Sequence, residues 1–169
     1  MKALRLSLML SFLLTAGSAL AQTAAQKSFD QLKSLTGSWE GKTAQGKPVQ
    51  VTFRDTASGS ALMSEINAHG PEDMISMFHL DGRNRLLLTH YCSVGNQPRM
   101  AASASPDGKT ITFDYLDATN LFAPDAGHMQ RVVFTVVDAN HHTEDWTFAD
   151  HGKEMKEFFN LRRNEVAQK

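Results

Sequence analysis

The sequence predicts an all-β fold: an antiparallel meander of about ten strands closed into a barrel, with a short helix in front of it. Three observations predict it. From Gly37 onward the apolar residues recur with period two. Turn dipeptides interrupt that pattern every ~8–12 residues, the spacing of antiparallel all-β domains. No helix-period segment is long enough to carry the chain between two parallel strands, so a parallel sheet is excluded.

The elements follow in order. Residues 1–21 have the form of a signal peptide. Lys2 and Arg5 supply a basic start, residues 6–14 an apolar run, and Ala19-Leu20-Ala21 a cleavage site. The run is too short to span a bilayer. Cleavage after Ala21 leaves 148 of the 169 residues, one domain's worth. Residues 22–27 read as a loose terminus within the 22–35 segment. Ser28 is placed to cap a short helix with Phe29, Leu32 and Leu35 on one face. The barrel domain is 36–165. Strands are expected at about 36–44, 48–55, 59–67, 73–80, 84–92, 98–104, 109–117, 128–138, 141–149 and 153–162. Turns between them include Gln45-Gly46-Lys47, Asp81-Gly82, Pro106-Asp107-Gly108, Ala139-Asn140 and His151-Gly152, residues that tolerate positive φ or type I geometry. The one long connection is 118–127. Closure removes the exposed edges that ten strands would otherwise leave, and a barrel of this size holds side chains plus one small ligand. A two-sheet sandwich is the alternative.

Charge and cysteine content narrow the class. Removing Lys2 and Arg5 leaves 15 basic against 18 acidic residues, a charge of −3. There is no basic stripe, which argues against nucleic acid as a partner. Cys92 is the only cysteine, so no internal disulfide holds the fold. The export signal points to the bacterial periplasm or the medium. Oligomeric state is left open.

Alternation assigns the inner face. It takes Val49, Val51 and Phe53 from the second strand, and Ile75 and Met77 with Leu86, Leu88, His90 and Cys92 across the Asp81-Gly82 turn. Met100 and Ala102 match Ile111, Phe113 and Tyr115. His142, Glu144, Trp146 and Phe148 share a face, as do Met155, Glu157, Phe159 and Leu161. Strand eight has two registers. A two-residue turn at Ala139-Asn140 buries Val133 and Val137. A bulged three-residue turn buries Val132, Phe134 and Val136, and is favoured because Phe134 is the larger residue to bury.

A short helix leading into Gly37-Ser38-Trp39-Glu40-Gly41 resembles the calycin barrels: lipocalins, fatty-acid-binding proteins and nitrobindin-like proteins. In lipocalins the Trp of G-x-W lies at the closed end under an Arg from the last strand. The resemblance assigns these places to Trp39 and to Arg162 or Arg163. THYCSVGNQPRM (89–100), DATN (117–120) and GHM (127–129) further resemble a set of secreted bacterial proteins of unknown function with a lipocalin-like fold. That resemblance covers nearly the whole mature chain and implies a fold without an activity. Nitrobindin-like proteins bind haem through a His near the C-terminus, and here no His follows His151. No cofactor is expected.

The polar residues suggest a constellation at one barrel mouth: His90, Cys92, Asn96, Arg99, Asp117, Asn120 and His128. Apolar walls with a few converging polar groups are the usual form of a ligand pocket. Each residue also has a plain structural role available. His90 can be a hydrogen-bonded core residue and Cys92 a small hydrophobe. Asn96, Asp117 and Asn120 can fix loops, and Arg99 can hold loop carbonyls. HHTED (141–145) is rich in metal-ligand types, but only His142 and Glu144 share a face, and zinc needs three or four protein ligands, so no metal is expected. Glu144 and Glu157 could face each other near Trp146. The functional expectation is an exported, non-catalytic binder of a small apolar or amphipathic ligand. The alternatives are an isomerase or hydrolase using His90 with Asp117 or His128, and a structural protein with a filled barrel.

Overall fold

The computed structural model describes residues 22–67 and 74–164, so the expected signal peptide, 1–21, lies outside the described residues. A helix, α1 (Ala24–Lys33), precedes ten strands: β1 (Gly37–Thr43), β2 (Pro48–Thr56), β3 (Ala61–Asn67), β4 (Met74–Asp81), β5 (Arg85–Tyr91), β6 (Gln97–Ala104), β7 (Thr110–Thr119), β8 (His128–Asp138), β9 (His141–Asp150) and β10 (Lys153–Arg163). Each strand pairs antiparallel with its neighbours in sequence, and β1 also pairs with β10, closing a barrel. The sandwich alternative is thereby set aside. No helix among the described residues is long and apolar enough to cross a membrane.

The helix starts earlier than expected. Thr23 is the N-cap, its hydroxyl accepting from the Gln26 N–H at 3.2 Å. Ser28 is therefore not a cap but a buried residue inside the helix. Phe29, Leu32 and Leu35 form the expected buried face. The helix lies at the end of the barrel where β1 begins. Thr23 donates to the Arg83 carbonyl, and Lys33 pairs with Asp55 at 3.1 Å, tying both helix ends to hairpin turns.

Trp39 organises this closed end. It is buried, and its Nε1–H donates to the Leu35 carbonyl at 2.7 Å. Arg163 lies over its ring, 4.3 Å from the centroid. Arg163 also donates to the carbonyls of Thr36 (2.7 Å), Ser34 (2.9 Å) and Ala139 (3.0 Å). One side chain thus joins the helix exit, β1, β10 and the β8–β9 turn. Arg162, the other candidate for this place, is exposed. Both glycines of G-x-W-x-G have a physical reason. Gly37 has φ +128°, a conformation costly for any other residue. A Cβ on Gly41 would fall 1.9 Å from the Asn160 carbonyl oxygen, so β10 could not approach.

Above Trp39 the barrel is filled by rings. Phe53, Phe78, Phe113, Phe134 and Trp146 are all buried, with neighbouring centroids 5.5–6.4 Å apart. The favoured strand-eight register holds. Val132 lies opposite Trp146, Phe134 opposite Glu144 and Val136 opposite His142, with a bulge between Val136 and Asp138. The β4 face was misassigned. Asp81 pairs with Arg85, so the connecting loop has three residues, 82–84. An odd loop reverses the parity expected of a two-residue turn. Ser76 and Phe78 therefore point inward opposite His90 and Leu88, and Ile75 and Met77 point out.

Three ladders are short: β5–β6, with three Cα pairs, and β7–β8 and β1–β10, with five each, the last two shaping the opposite end. The β7–β8 ladder joins 110–114 to 131–135. The β1–β10 ladder joins 39–43 to 159–163. The tops of β8, β9 and β10 therefore form a three-stranded flap that parts from β7 on one side and extends past the end of β1 on the other.

The closed end makes a paired prediction. Trp39→Ala should cost about 3–5 kcal/mol, as large aromatic truncations in cores do. Arg163→Ala should cost at least about 2 kcal/mol, through the lost ring contact and three stranded carbonyls. Arg162→Ala should stay within about 0.5 kcal/mol. Urea unfolding midpoints at unchanged m-value measure all three; equal effects for the two arginines would contradict the assignment.

Candidate functional site

The mouth lies opposite α1, framed by the loops 44–47, 92–96, 120–127 and 151–152. The long 120–127 connection is pinned at three points. Asn96 donates to the Gly127 carbonyl at 2.7 Å, and Asn120 to the Gly95 carbonyl at 2.6 Å. The His151 N–H donates to the Asp125 carbonyl, and the two side chains pair at 2.8 Å. That ion pair raises the His151 pKa and lowers that of Asp125. Asn96 and Asn120 are thus loop fasteners, although Asn96 Oδ1 is buried without a partner.

Arg99 and Asp117 do not join the site. They lie opposite each other on β6 and β7, half-exposed, and bind through both guanidinium nitrogens on the outer face. Arg99 faces outward because its neighbour Met100 faces in, and the register shift between them brings Asp117 opposite it on the same outer side. The hydrogen bonds and charge of Arg99 hold the Asp117 carboxyl below the usual carboxylate range.

His128 does lie at the mouth. Its ring stacks against Tyr115 at 4.5 Å, across the gap where the β7–β8 ladder ends. Nδ1–H donates to the Ala126 carbonyl at 2.7 Å, and Nε2 lies 2.9 Å from the Gln130 side-chain amide. Cys92 is buried on the rim. Deeper in, His90 has no exposed surface, and its Nδ1 lies 2.9 Å from the Ser76 hydroxyl. The Trp146 ring is 5.0 Å away. His90 Nε2 is buried with no partner. Burial lowers the His90 pKa to about 4, so the ring is neutral at physiological pH. Of the seven expected residues, the structure leaves His90, Cys92, Asn96 and His128 inside or on the rim. Asn120 stays on the loop, and Arg99 and Asp117 lie outside.

Alternation overlooked a cross-strand row. Ser64, Ser76 and His90 are successive Cα partners on β3, β4 and β5, all buried, and Ser64 Oγ also lacks a partner. The misassigned β4 parity hid Ser76. A second row, Met129–Phe148–Met155, lines the inner face of the flap. Met129 and Phe148 are half-buried, and Met155 is 56% exposed although it points toward the barrel axis. The mouth end of the flap therefore carries an apolar row that is half-buried to exposed, above a buried aromatic core.

A separate network lies near the closed end. His142 Nε2 donates to Glu144 Oε1 at 3.1 Å, and Trp146 Nε1 donates to Glu144 Oε2 at 2.8 Å. Two donors thus satisfy a buried carboxylate, as burial of charge requires. Trp39 meets the His142 ring edge-on at 4.3 Å. Glu144 and Glu157 do not face each other as a pair. Glu157 lies opposite Trp146, and its carboxylate accepts from the Ala44 N–H at 3.3 Å. Among the described residues no three metal-ligating side chains come together.

Two predictions follow from the burial of the rim and floor. A thiol reagent should modify Cys92 slowly in the folded protein and rapidly in denaturant; rapid native labelling would contradict its burial. The second concerns pH. The folded pKa of His90, about 4, lies below its ordinary 6.5. The unfolded chain therefore takes up the proton first as pH falls. Stability from the neutral ring is complete above about pH 6.5 and is lost toward pH 4, by about 3 kcal/mol in all. The difference between wild type and His90→Phe in unfolding free energy across that range isolates the effect. A constant difference would show that His90 does not titrate in this way.

Comparison with solved structures finds the crystal structure of Rv2717c from M. tuberculosis. It is 15% identical to this chain, with 82% of this chain and 98% of that chain covered and a TM-score of 0.58. At that identity the likeness is one of fold. No family model matches the chain, and no curated protein matches it.

Proposed function

We propose that the protein is an exported, non-enzymatic binder of one small apolar or amphipathic ligand, held in the cup at the barrel mouth. The observation that carries this reading is the Met129–Phe148–Met155 row. It faces the barrel axis yet stays open to solvent, above a core whose rings are closed off. An apolar surface kept open inside a concavity is the usual wall of a small-molecule site, and methionine lets such a wall adapt to its ligand. The sequence at 1–21 supports export to the periplasm or medium. The acid–base pairs of the enzymatic alternative are not assembled. Asp117 is engaged by Arg99 outside, and both ring nitrogens of His128 are engaged by its own neighbours. The filled-barrel alternative describes the closed half and not the mouth.

A neutral apolar fluorophore, N-phenyl-1-naphthylamine, tests the reading. The mature protein should take it up with a saturable rise in emission. Met155→Asp should weaken uptake about tenfold or more, by placing a charge on the apolar wall. Because Met155 is largely exposed, the melting temperature should hold. Uptake that does not saturate, or that is indifferent to Met155→Asp, would remove the cup as a binding site.

A further inference from the structure

Resting on that reading of the cup, we infer that its ligand is an uncharged, hydroxyl-bearing amphiphile. Its apolar body lies along Met129, Phe148 and Met155, and its hydroxyl meets the orphaned Nε2 of His90.

The charge argument comes first. Among the described residues no lysine or arginine is buried. Lys33 and Arg163 are half-buried, but both are at the closed end and already engaged, by Asp55 and Gly59 and by Trp39 and three carbonyls. The one buried acid, Glu144, lies deeper and is satisfied by His142 and Trp146. Below the cup lies the buried His90 ring, with no buried cation among the described residues, and Glu157, half-buried on the same face of β10 as Met155, adds a carboxylate rather than a cation. A carboxylate or phosphate carried to this floor would lose its water and gain no counter-charge, which is strongly unfavourable.

The hydrogen-bonding argument selects the head group. His90 Nδ1 and Ser76 Oγ are 2.9 Å apart, and either can be the donor. If Nδ1 carries the proton, Nε2 is an acceptor; if Ser76 donates, Nε2 is a donor. A hydroxyl both donates and accepts, so it fits either tautomer, whereas a ketone or ether oxygen fits only one. A buried imidazole nitrogen without a partner is costly, and a hydroxyl reaching it removes that cost.

The approach is also defined. Nε2 has no solvent contact, so the ligand must displace a side chain to reach it. Trp146 lies 5.0 Å from the His90 ring, and Phe148, the next inward residue on β9, is flanked by the unbranched Met129 and Met155, side chains that move easily.

The test is competition for bound N-phenyl-1-naphthylamine on the mature protein at pH 7.5, with 1-decanol below its solubility limit and decanoate below its micellar concentration. Decanol should displace the fluorophore at a concentration at least about tenfold lower than decanoate. His90→Phe should retain the fluorophore and lose about tenfold in decanol affinity. Should that variant not fold, His90→Met serves the same purpose, since its flexible side chain fills irregular space without a hydrogen bond. Decanoate competing as well as decanol would overturn the ligand class while leaving the cup intact. Decanol affinity unchanged by either substitution would overturn the role of Nε2. Failure of the fluorophore itself to bind would instead defeat the cup reading on which this inference rests.

Discussion

Closure of the ten-stranded ladder is the constraint on which the rest depends. Once β1 pairs with β10, the sheet has no free edge, and except at the register shifts alternate residues of each strand point inward. No strand can slip by one residue without exchanging its whole inner face. Closure does not select for chemistry. It brings Phe134 and Leu88 inside, and by the same parity Ser64, Ser76, His90, His142 and Glu144. Each polar group so enclosed needs a partner. Glu144 has two donors and His90 has one partner of the two it can use. Orphaned atoms occur in both halves, at His142 Nδ1 near the closed end and at Ser64 Oγ, His90 Nε2 and Asn96 Oδ1 elsewhere.

The two ends carry different loads. At the closed end Trp39, Arg163 and α1 supply overlapping contacts, and Gly41 lets β10 approach within backbone contact. Stability concentrates there. At the mouth, the short β7–β8 and β1–β10 ladders leave strand tops paired on one side only. Regions with fewer backbone hydrogen bonds and more solvent-open side chains open at lower free-energy cost. A flap that can move fits the proposed binding, in which a ligand reaches His90 by displacing side chains. The loop 120–127 limits that freedom, being fixed by Asn96, Asn120 and His151.

Much of the fold was legible because local signals agreed. Period-two patterning and turn dipeptides placed all ten strands to within a residue or two. Volume alone decided the strand-eight register in favour of Phe134. What failed were decisions that depend on counting one residue in a turn. Asp81-Gly82 reads as a two-residue hairpin turn, yet 82–84 form the loop, and that single extra residue moved Ser76 inside and Ile75 out. The same limit applies to Asp117. Strict alternation from Phe113 and Tyr115 turns it inward, and the register shift beside Met100 instead sets it opposite Arg99 on the outer face. Bulges are set by tertiary twist and leave little trace in residue types. At the helix start, Thr23 and Ser28 are both competent caps, and the contact from Thr23 to the Arg83 carbonyl, 60 residues away, is invisible locally.

The central claim is a barrel sealed by aromatic packing at one end and open as an apolar cup at the other. Diffraction from crystals pressurised with xenon tests it most directly, because xenon enters apolar cavities without needing a hydrogen bond. The account predicts xenon in the cup, against Met129, Phe148 and Met155 and above Trp146, with none among Phe53, Phe78, Phe113 and Phe134. Xenon within the aromatic half, or a mouth sealed by collapse of the Met129–Phe148–Met155 row, would contradict it.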